Sequence, residues 1–400
     1  MIYIFYFFAV ILVYFSCRSF LSGLEYLNYF RRELAGTSSG HQPFATIIAP
    51  CKGLDEGIRE NFAALFEQNY PAYEVIFVTD DENDPTVPVI KDLLDQHKNT
   101  KLIIAAKASN TGQKVENLRE AVLHADNASE VFVFVDSDAR PAKDWLRCLA
   151  ASLADGNIGA ATGYRWFFSK RSSLATELLS VWNASIASAL GPNEKTNFCW
   201  GGSTAIRRDV FEKIDMRNRW KGTLSDDFAV TRAVRSAGLG VKFVPQALTP
   251  TVEDVTFRQL FEFTTRQMKI TRVYMPGLWI KSLIGAAVYC GVVLAALGII
   301  IFSRQKTFTV WFSIATLTLV ATLSTAKAYL RLKAVTLAMN GCEELLRKQT
   351  FSQLALWAVT PFIYLVNCLM AAFSRTIRWR GTNYEIVSPT ETNILSHLKK

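Results

Sequence analysis

Two carboxylates, Asp136 and Asp138, follow directly on five apolar residues in the sequence VFVFVDSD. The apolar run predicts a central strand, and both carboxylates then project from its end. Carboxylate oxygens are the ligands that hard cations such as Mg²⁺ and Mn²⁺ prefer, and phosphate oxygens of a nucleotide can complete the coordination shell. A DxD sequence by itself is common in solvated turns. Its position after a buried strand instead favours a site for Mn²⁺ or Mg²⁺ that neutralises a departing diphosphate.

Two similar strand ends occur nearer the N-terminus. Pro50 ends the apolar run PFATIIAP, and Asp80 ends the run YEVIFVTD. Parallel sheets bind ligands at the carboxyl ends of their strands, so Pro50, Asp80 and Asp136 are expected at one edge. A carboxylate at position 80 can accept a hydrogen bond from the base or ribose of a nucleotide. The alternative for residues 80–85 is a loop with Asx-type hydrogen bonds.

A second acidic pair, Asp226 and Asp227, precedes an amphipathic pattern that predicts a helix ending near Gly238. Capping of the helix N-terminus explains one carboxylate but does not require two. Adjacent carboxylates repel each other, which raises the proton affinity of one of them, as a general base requires. Gly202, in the sequence WGGS, lets the backbone approach a sugar closely, although an ordinary tight turn explains it equally well.

The elements that must position these residues alternate along the soluble part of the chain. Apolar runs at 43–50, 73–80, 101–106 and 130–138 predict short buried strands separated by helical or loop stretches. Strands that are apolar on both faces indicate a mostly parallel sheet covered by helices, and therefore an α/β fold.

Long apolar segments lie at both ends of the chain, at 1–17, 282–302, about 308–330 and about 354–373. Segments of about 20 apolar residues can cross a bilayer as helices. We therefore expect an N-terminal membrane anchor with its basic flank at 1–32, a soluble domain at 33–280, membrane segments at 281–374 and a basic tail at 375–400. Basic residues just before the second segment, among them Arg266, fit either a basic interfacial helix or a site, and we favour a chemical role for Arg266.

The net charge of +9 comes from these flanks. Residues 41–278 carry 28 basic and 29 acidic side chains, whereas the rest of the chain carries 16 and 6. Such a distribution is typical of membrane segments held against an anionic leaflet, and it argues against nucleic acid binding. The seven cysteines include no CxxC pair and the four histidines are scattered, which disfavours a zinc site or a disulfide framework.

The basic flank of the anchor predicts that the soluble domain faces the cytoplasm. Three full crossings after residue 281 would then place Arg375, Arg378 and Arg380 outside, against the same charge rule. One of the C-terminal segments is therefore expected to be re-entrant or interfacial.

The ordered set PCKG at 50–53, VTD at 78–80, DSD at 136–138, WGGS at 200–203 and SDD at 225–227 resembles the family 2 type inverting glycosyltransferases. Within them it is most similar to the ceramide glucosyltransferase-like branch. The resemblance covers about 43–280, and TIRWRG at 376–381 echoes the tail of that branch.

This resemblance implies a GT-A fold, a nucleotide-sugar donor, a membrane lipid acceptor, and roles for individual residues. Asp80 would contact the uridine, Asp136 and Asp138 would form the metal and diphosphate site, and Asp227 would be the base. The donor would also be held by Lys52, Lys114 and Asn117. The family's last motif, Q/RxxRW, is changed here, since Arg266 is followed by Gln267 where the motif has Trp. Contact of Arg266 with the diphosphate is still expected, whereas stacking on the acceptor is not.

The sequence thus predicts a membrane-bound inverting hexosyltransferase that moves a sugar, with UDP-glucose as the expected donor, onto a lipid hydroxyl such as that of ceramide. A processive polysaccharide synthase is the nearest enzymatic alternative. A non-catalytic, membrane-anchored nucleotide-sugar sensor is the alternative from another class, and it differs in that Asp227 would be dispensable.

Overall fold

The computed structural model describes residues 2–36, 39–305 and 307–397. In chain order their main elements are α1 (Ile2–Ala35), β1 (Ala45–Pro50), α2 (Ile58–Phe66), β2 (Tyr73–Thr79), α3 (Thr86–Gln96), β3 (Thr100–Ile104), α4 (Gln113–Ala121), β4 (Val131–Val135), α5 (Trp145–Ala151), β5 (Ile158–Phe168), α6 (Leu174–Ala187), β6 (Ser203–Arg207), α7 (Arg208–Lys213), α8 (Met216–Arg219), α9 (Asp226–Ser236), β7 (Gly240–Val252), α10 (Phe257–Tyr274), α11 (Pro276–Phe302), α12 (Phe308–Ala338), α13 (Glu343–Ala355), α14 (Thr360–Phe373), β8 (Thr376–Trp379), β9 (Thr382–Ser388) and β10 (Glu391–His397).

These elements form two compact units. The sheet unit comprises the described residues of 32–170, 189–254 and 375–400, and the helical unit comprises those of 1–31, 171–188 and 255–374. The sheet unit therefore takes in the C-terminal segment, which the sequence set apart as a basic tail. The helical unit takes in α6, which the sequence assigned to the soluble domain.

The sheet unit is built on a seven-stranded sheet in the order β3-β2-β1-β4-β6-β5-β7. β6 is antiparallel to both of its neighbours, whereas the other adjacent pairs are parallel. Ile48 at the centre of β1 pairs with Ile76 on one side and Phe134 on the other, and all three side chains are buried. This architecture confirms the predicted α/β fold of the GT-A type with its mostly parallel sheet.

One face of this sheet packs against α4 and the α7–α9 region. Phe134 contacts Trp220 edge-on, and both belong to one buried apolar cluster with Val115 of α4 and Val230 of α9. Because β1 and β4 are buried on both faces, β4 is apolar throughout and β1 departs from this only at Thr46, whose hydroxyl is hydrogen-bonded. The polar residues that follow the strands are left at the sheet's carboxyl edge.

A smaller antiparallel sheet, in the order β10-β9-β8, ends the described chain. Its residues Ile377, Tyr384 and Ile386 are buried. β8 and β9 are joined by a two-residue turn, Arg380-Gly381, in which both φ angles are positive, at 46° and 78°. Positive φ at both central residues is the geometry of a type I′ hairpin turn.

The helical unit contains three helices that are long and apolar enough to cross a membrane, α1, α11 and α12. α13 and α14, with the short turn between them, form a further apolar pair bent by 60°. Within the unit, Phe5 and Ala9 of α1 belong to a buried cluster with Ala296 of α11 and Val320 of α12. The expected apolar helices at both ends of the chain are thus confirmed, and the last predicted segment lies in a broken helix.

Candidate active site

Lys114 connects two of the acidic motifs in the sheet unit. Its Nζ lies 2.7 Å from Oδ1 of Asp136 and 3.1 Å from Oδ1 of Asp226. α4 presents this lysine, β4 ends just before Asp136, and Asp226 opens α9. The carboxylates of DSD and SDD, about 90 residues apart in the sequence, therefore meet around one buried ammonium.

Arg165, on β5, holds the other side of the DSD motif. Its Nη2 lies 2.9 Å from Oδ2 of Asp136 and its Nη1 lies 3.2 Å from Oδ2 of Asp138. The guanidinium also lies over the ring of Trp200, 4.7 Å from the centroid, which is a cation–π contact. Sequence reasoning missed Arg165. The available signal was a charged residue inside an otherwise apolar strand, since such a charge needs a buried partner.

These ion pairs set the protonation of the site. Burial alone would raise the pKa of Asp136, but Lys114 and Arg165 hold it below its ordinary value. Burial raises the pKa of Asp138 despite Arg165, and the charges of Asp136 and Asp55 add to the rise. Burial would lower the pKa of Lys114, but Asp136 and Asp226 raise it above its ordinary value, so this lysine stays charged.

Asp80 lies at the end of β2, where the sequence placed it. Lys52 Nζ lies 3.2 Å from Oδ2 of Asp80, so the two predicted nucleotide contacts form an ion pair. Oδ1 of Asp80 is buried and has no hydrogen-bond partner among the described residues. Asp84, by contrast, accepts hydrogen bonds from Gly53 and Thr86, which is the loop role that the alternative interpretation gave to this stretch.

Asp138 offers an open oxygen for a cation. Its Oδ1 is buried and has no hydrogen-bond partner among the described residues, whereas Lys114 and Arg165 occupy the two oxygens of Asp136. The described residues include no cluster of three or more His, Cys, Asp or Glu side chains placed to hold a metal. The unpartnered Oδ1 of Asp138 leaves one carboxylate oxygen for a divalent cation, whose other positions water and phosphate oxygens would fill. The metal site at Asp136 and Asp138 stays a prediction.

Asp226 and Asp227 lie in the first turn of α9. The N-cap is Ser225, whose Oγ accepts from the backbone N–H of Phe228, so neither aspartate is the capping residue that the sequence suggested. Asp227 accepts the Phe228 N–H at 2.7 Å and a short hydrogen bond from the Ser225 hydroxyl.

The proton affinity of the pair is raised at the first aspartate. Burial raises the pKa of Asp226 to about 6, opposed by Lys114 and reinforced by Asp227 and Asp136. The expectation that one carboxylate of the pair binds its proton more tightly is met at Asp226. The main cause is removal from water and not the repulsion that the sequence suggested.

Gly201 and Gly202 leave room for this cluster. A Cβ on Gly201 would lie 2.8 Å from the Lys114 ammonium, and one on Gly202 would lie 2.8 Å from Oδ2 of Asp136 and collide with the Trp200 ring. Both φ angles are ordinary, so the requirement is for space and not for an unusual turn. Gly202 therefore lies close to the DSD motif, and its contact with a donor stays a prediction.

In the part of the chain that the structure describes, Asn117 and Pro50 make no ion pair with the acidic motifs and lie in the elements that support them. Asn117 is buried and accepts from Nε2 of Gln113, which in turn binds the backbone of residues 106 and 108. Pro50 is the last residue of β1. Direct contact of either residue with a donor stays a prediction.

Arg266 lies on α10 in the helical unit, with its guanidinium 5.3 Å from the centre of the Phe263 ring. Its predicted contact with the diphosphate stays a prediction.

Asp55 and Glu253 are two acidic residues near the DSD motif that sequence reasoning missed. With Asp138 they line a small pocket whose wall also includes Asn61, Arg140 and residues 250–252. Burial raises the pKa of Glu253 to about 7, and the charge of Asp138 adds to the rise. Glu253 follows β7 directly, so the rule that applies to Asp80 and Asp136 would have found it, had β7 been recognised.

The sheet edge thus gathers acidic side chains from the ends of three strands, β2, β4 and β7, paired in part with Lys52, Lys114 and Arg165. The family model described as Glycosyl transferase family 21 matches residues 9–392, nearly the whole chain. The chain belongs to glycosyl transferase family 21. The predicted kinship with glycosyltransferases is confirmed by this match.

Three curated relatives share parts of their sequence with this family member. It is 25% identical over 242 residues, 56% of this chain and 54% of the relative, to "Probable glycosyltransferase YdaM" of Bacillus subtilis (strain 168). It is 29% identical over 127 residues, 28% of this chain and 23% of the relative, to "Ceramide glucosyltransferase" of Candida albicans. It is 20% identical over 258 residues, 63% and 55% of the two chains, to "Ceramide glucosyltransferase 1" of Caenorhabditis elegans. The chain thus matches between about a quarter and just over half of the length of these relatives.

Two solved structures are similar in architecture. "Mannosyltransferase PcManGT from Pyrobaculum calidifontis in complex with GDP-Man and Mn2+" aligns with a TM-score of 0.49 and 18% identity over 92% of this chain and 98% of that one. GalNAc-T7 with UDP, GalNAc and Mn2+ aligns with a TM-score of 0.41 and 12% identity over 57% and 51% of the two chains.

Proposed function

We propose that this family 21 protein is a membrane-bound inverting glycosyltransferase that moves a hexose from a nucleoside diphosphate sugar, with UDP-glucose as the expected donor, to the hydroxyl of a membrane lipid. The observation that carries the proposal is the meeting of Asp136 and Asp226 around Lys114 at the carboxyl edge of the sheet. Binding of a diphosphate and activation of an acceptor both need charged groups in one place, and this contact provides them. The two ceramide glucosyltransferases among the relatives support glucose and a ceramide-like lipid.

On the donor side, we assign Asp80 and Lys52 to the nucleoside, since Oδ1 of Asp80 has no hydrogen-bond partner among the described residues beside their ion pair. Lys114 and Arg165 fix Asp136 from two directions, so the DSD loop is rigid before the donor arrives. Such preorganisation lowers the reorganisation needed in the transition state.

A divalent cation, Mn²⁺ or Mg²⁺, would be held through Asp138 and would supply positive charge to the departing diphosphate. Arg165 and Lys114 supply fixed positive charge at the same edge. Because they already neutralise Asp136, an anionic diphosphate meets less repulsion there.

On the acceptor side, we assign Asp227 as the general base. The lipid hydroxyl gives its proton to the free carboxylate oxygen of Asp227 while the hydroxyl oxygen bonds to the anomeric carbon. At the same time the bond from that carbon to the diphosphate oxygen breaks, and the diphosphate leaves with the electron pair. Attack opposite the leaving group inverts the anomeric configuration. Asp226, paired with Lys114, holds the head of α9 beside the donor.

One experiment distinguishes the proposed lipid glycosyltransferase from a processive synthase and from a non-catalytic sensor. Purified full-length protein is reconstituted into liposomes that contain ceramide, diacylglycerol or a polyprenyl phosphate, then supplied with UDP-glucose and Mn²⁺, and the lipids are analysed by mass spectrometry. We expect one hexose to be added to one lipid class, and no addition by Asp227→Asn. A ladder of sugars on one acceptor would identify a processive synthase. Nucleotide-sugar binding without a glycosylated lipid, in this assay and in membranes of cells that make the protein, would favour the sensor and contradict the proposal.

We further propose that the sheet unit faces the cytoplasm, where nucleotide sugars are supplied and where the basic flanks are favoured. A single cysteine at exposed Lys98, with the partly exposed native Cys17, Cys148 and Cys342 replaced, tests this orientation. An impermeant maleimide should label it only after the cells are opened. Labelling in intact cells would place the unit outside.

A further inference from the structure

The turn between β8 and β9 carries an unexpected residue. Type I′ turns favour Asn, Asp and Gly because both central residues need positive φ, yet the first central position here is Arg380, with φ of 46°. An L-residue with a long side chain adopts this conformation rarely and at a cost. Outliers of this kind often persist at functional sites.

The guanidinium of Arg380 reaches towards the DSD motif. Its Nη2 lies 2.5 Å from Oδ1 of Asp55, while Oδ2 of Asp55 accepts a hydrogen bond of 2.6 Å from the Ser137 hydroxyl. Ser137 stands between the two aspartates of the motif, and its carbonyl accepts from Asn61 at 3.1 Å. Arg380 therefore acts on the loop at 136–138 through one intervening carboxylate.

The small sheet that carries this turn is anchored in the sheet unit at two other points. The Tyr384 hydroxyl accepts from the backbone N–H of Gln113, at the start of the helix that presents Lys114. Gly222, with φ of 74°, lies so close to the carbonyl of Thr390 that a Cβ would collide with it. The turn is thus held in place by contacts that do not involve Arg380 itself.

The positive charge of Arg380 lies beside a group of carboxylates. Asp55, Asp138 and Glu253 line one pocket, and Arg165 joins Asp138 to Asp136. Through its ion pair with Asp55, Arg380 brings a guanidinium to the wall of this pocket. Its side chain is two-fifths exposed, whereas that of Asp55 is mostly covered.

We propose that Arg380 is a positioning residue of the donor site, which orients the DSD loop through Asp55 and offsets the negative charge that a nucleoside diphosphate must approach. The inference rests on the proposed function and deepens it. It makes the C-terminal sheet part of the donor site, although the chain reaches it only after α14.

The test uses detergent-solubilised full-length protein and UDP with Mn²⁺ as the probe. Arg380→Asn removes the guanidinium and gives the type I′ turn a residue that it favours, so the thermal midpoint should be unchanged or higher. We expect UDP affinity, measured by calorimetry, to fall about five- to thirtyfold, equivalent to about 1–2 kcal/mol. Arg380→Lys, which keeps the charge but loses the planar fork, should lose less. Arg378→Asn, at an exposed position of the same hairpin, is the matched control and should bind UDP as the wild type does.

If Arg380 acts through Asp55, a double mutant provides a second test. In an Asp55→Asn background, the effect of Arg380→Asn on UDP affinity should shrink, because the partner through which Arg380 orients the loop is gone and only its charge remains. In transfer assays the donor KM should rise while the KM for the lipid stays unchanged. Unaltered UDP affinity in Arg380→Asn would overturn the inference, as would an undiminished effect in the Asp55→Asn background. Wild-type protein that binds UDP but glycosylates no lipid would overturn the proposed acceptor chemistry and leave this inference standing.

Discussion

Replacing Asp227 by Asn separates catalysis from folding at the head of α9. In the structure this aspartate accepts the Phe228 N–H at 2.7 Å and a hydrogen bond from Ser225. An asparagine keeps an oxygen in the same place for both donors. We therefore expect the free energy of unfolding to change by less than about 1 kcal/mol, the usual worth of a helix-terminal contact.

Removing the proton acceptor should affect the rate of transfer much more than it affects stability. General-base assistance contributes about 10²–10⁴ in rate, equivalent to about 3–5.5 kcal/mol of activation free energy. Asp227→Asn should accordingly reduce hexose transfer at least about a hundredfold. UDP affinity should stay within a few-fold of the wild-type value, because Lys114 pairs with Asp136 and Asp226 and those contacts remain.

Asp226→Asn is the comparison that the structure provides. It removes one carboxylate from Lys114, and breaking a buried pair costs about 3–5 kcal/mol when the remaining charge is left alone. Here Asp136 stays 2.7 Å from the ammonium, so the cost should be nearer the 1–3 kcal/mol of a lost charge-assisted hydrogen bond. We expect a lower thermal midpoint, weaker UDP binding and a smaller loss of kcat than in Asp227→Asn.

The assay is single-turnover transfer from radiolabelled UDP-glucose to the accepted lipid, beside calorimetric UDP binding and a thermal melt of each variant. The assignment fails if Asp227→Asn transfers sugar at near wild-type rates. It also fails if Asp226→Asn loses the larger part of kcat while its UDP affinity and stability are retained. In that case the raised proton affinity of Asp226 would mark it as the base.

Three further outcomes follow from the site. Lys114→Met leaves Asp136 and Asp226 without their shared cation, so UDP affinity should fall at least about tenfold, measured by calorimetry, with a matched loss of stability in thermal melts. Asp138→Asn should raise the Mn²⁺ concentration needed for half-maximal UDP binding several-fold, and full transfer in excess chelator would contradict the metal site. The pKa of Glu253 is raised to about 7 in the folded state, above its value in the unfolded chain. The protonated carboxyl therefore stabilises the folded state at low pH, and this stabilisation is lost as the pH rises towards 7. In metal-free buffer the thermal midpoint of the wild type should therefore fall more between pH 5 and pH 8 than that of Glu253→Gln.

The part of the fold that sequence patterns predicted is the half with parallel strands. β1, β2 and β4 are almost wholly buried and coincide with apolar runs, because both faces are covered and no alternation is required. β3, at the edge of the sheet, also coincides with an apolar run although it is only partly buried. β5 and β7 were not recognised, since threonine, arginine and proline interrupt their apolar pattern. The strands of the C-terminal sheet alternate polar and apolar residues, and the sequence does not show which surface their apolar side chains cover. The segment was therefore interpreted as a basic tail.

The difference between recognised and unrecognised strands also explains which site residues were predicted. Asp80 and Asp136 follow recognisable strands, so strand ends located them. Two of the cations at this edge, Lys52 and Lys114, were also predicted. Arg165 and Arg380 were not, because Arg165 lies inside β5 and Arg380 lies in a turn some 240 residues beyond the DSD motif. Only tertiary structure brings these two cations to the carboxylates. Sequence reasoning therefore described the acidic edge and only part of the positive charge that offsets it.

The position of the C-terminal sheet also resolves the conflict over membrane crossings. The described residues of 189–254 and 375–400 belong to one compact unit, so we expect the chain to leave that unit and return to it on the same side of the membrane. The number of full crossings between residues 254 and 375 should then be even. We expect α11 and α12 to provide two, and the pair bent by 60° at residue 359 to enter and leave by the same face. On the cysteine background described above, a cysteine at exposed Ser303 should therefore react with an impermeant maleimide in intact cells, whereas one at exposed Gly341 or exposed Arg378 should react only in opened cells. Labelling of position 378 from outside would require a third full crossing, and it would be incompatible with Arg380 lying beside Asp55 in a cytoplasmic donor site.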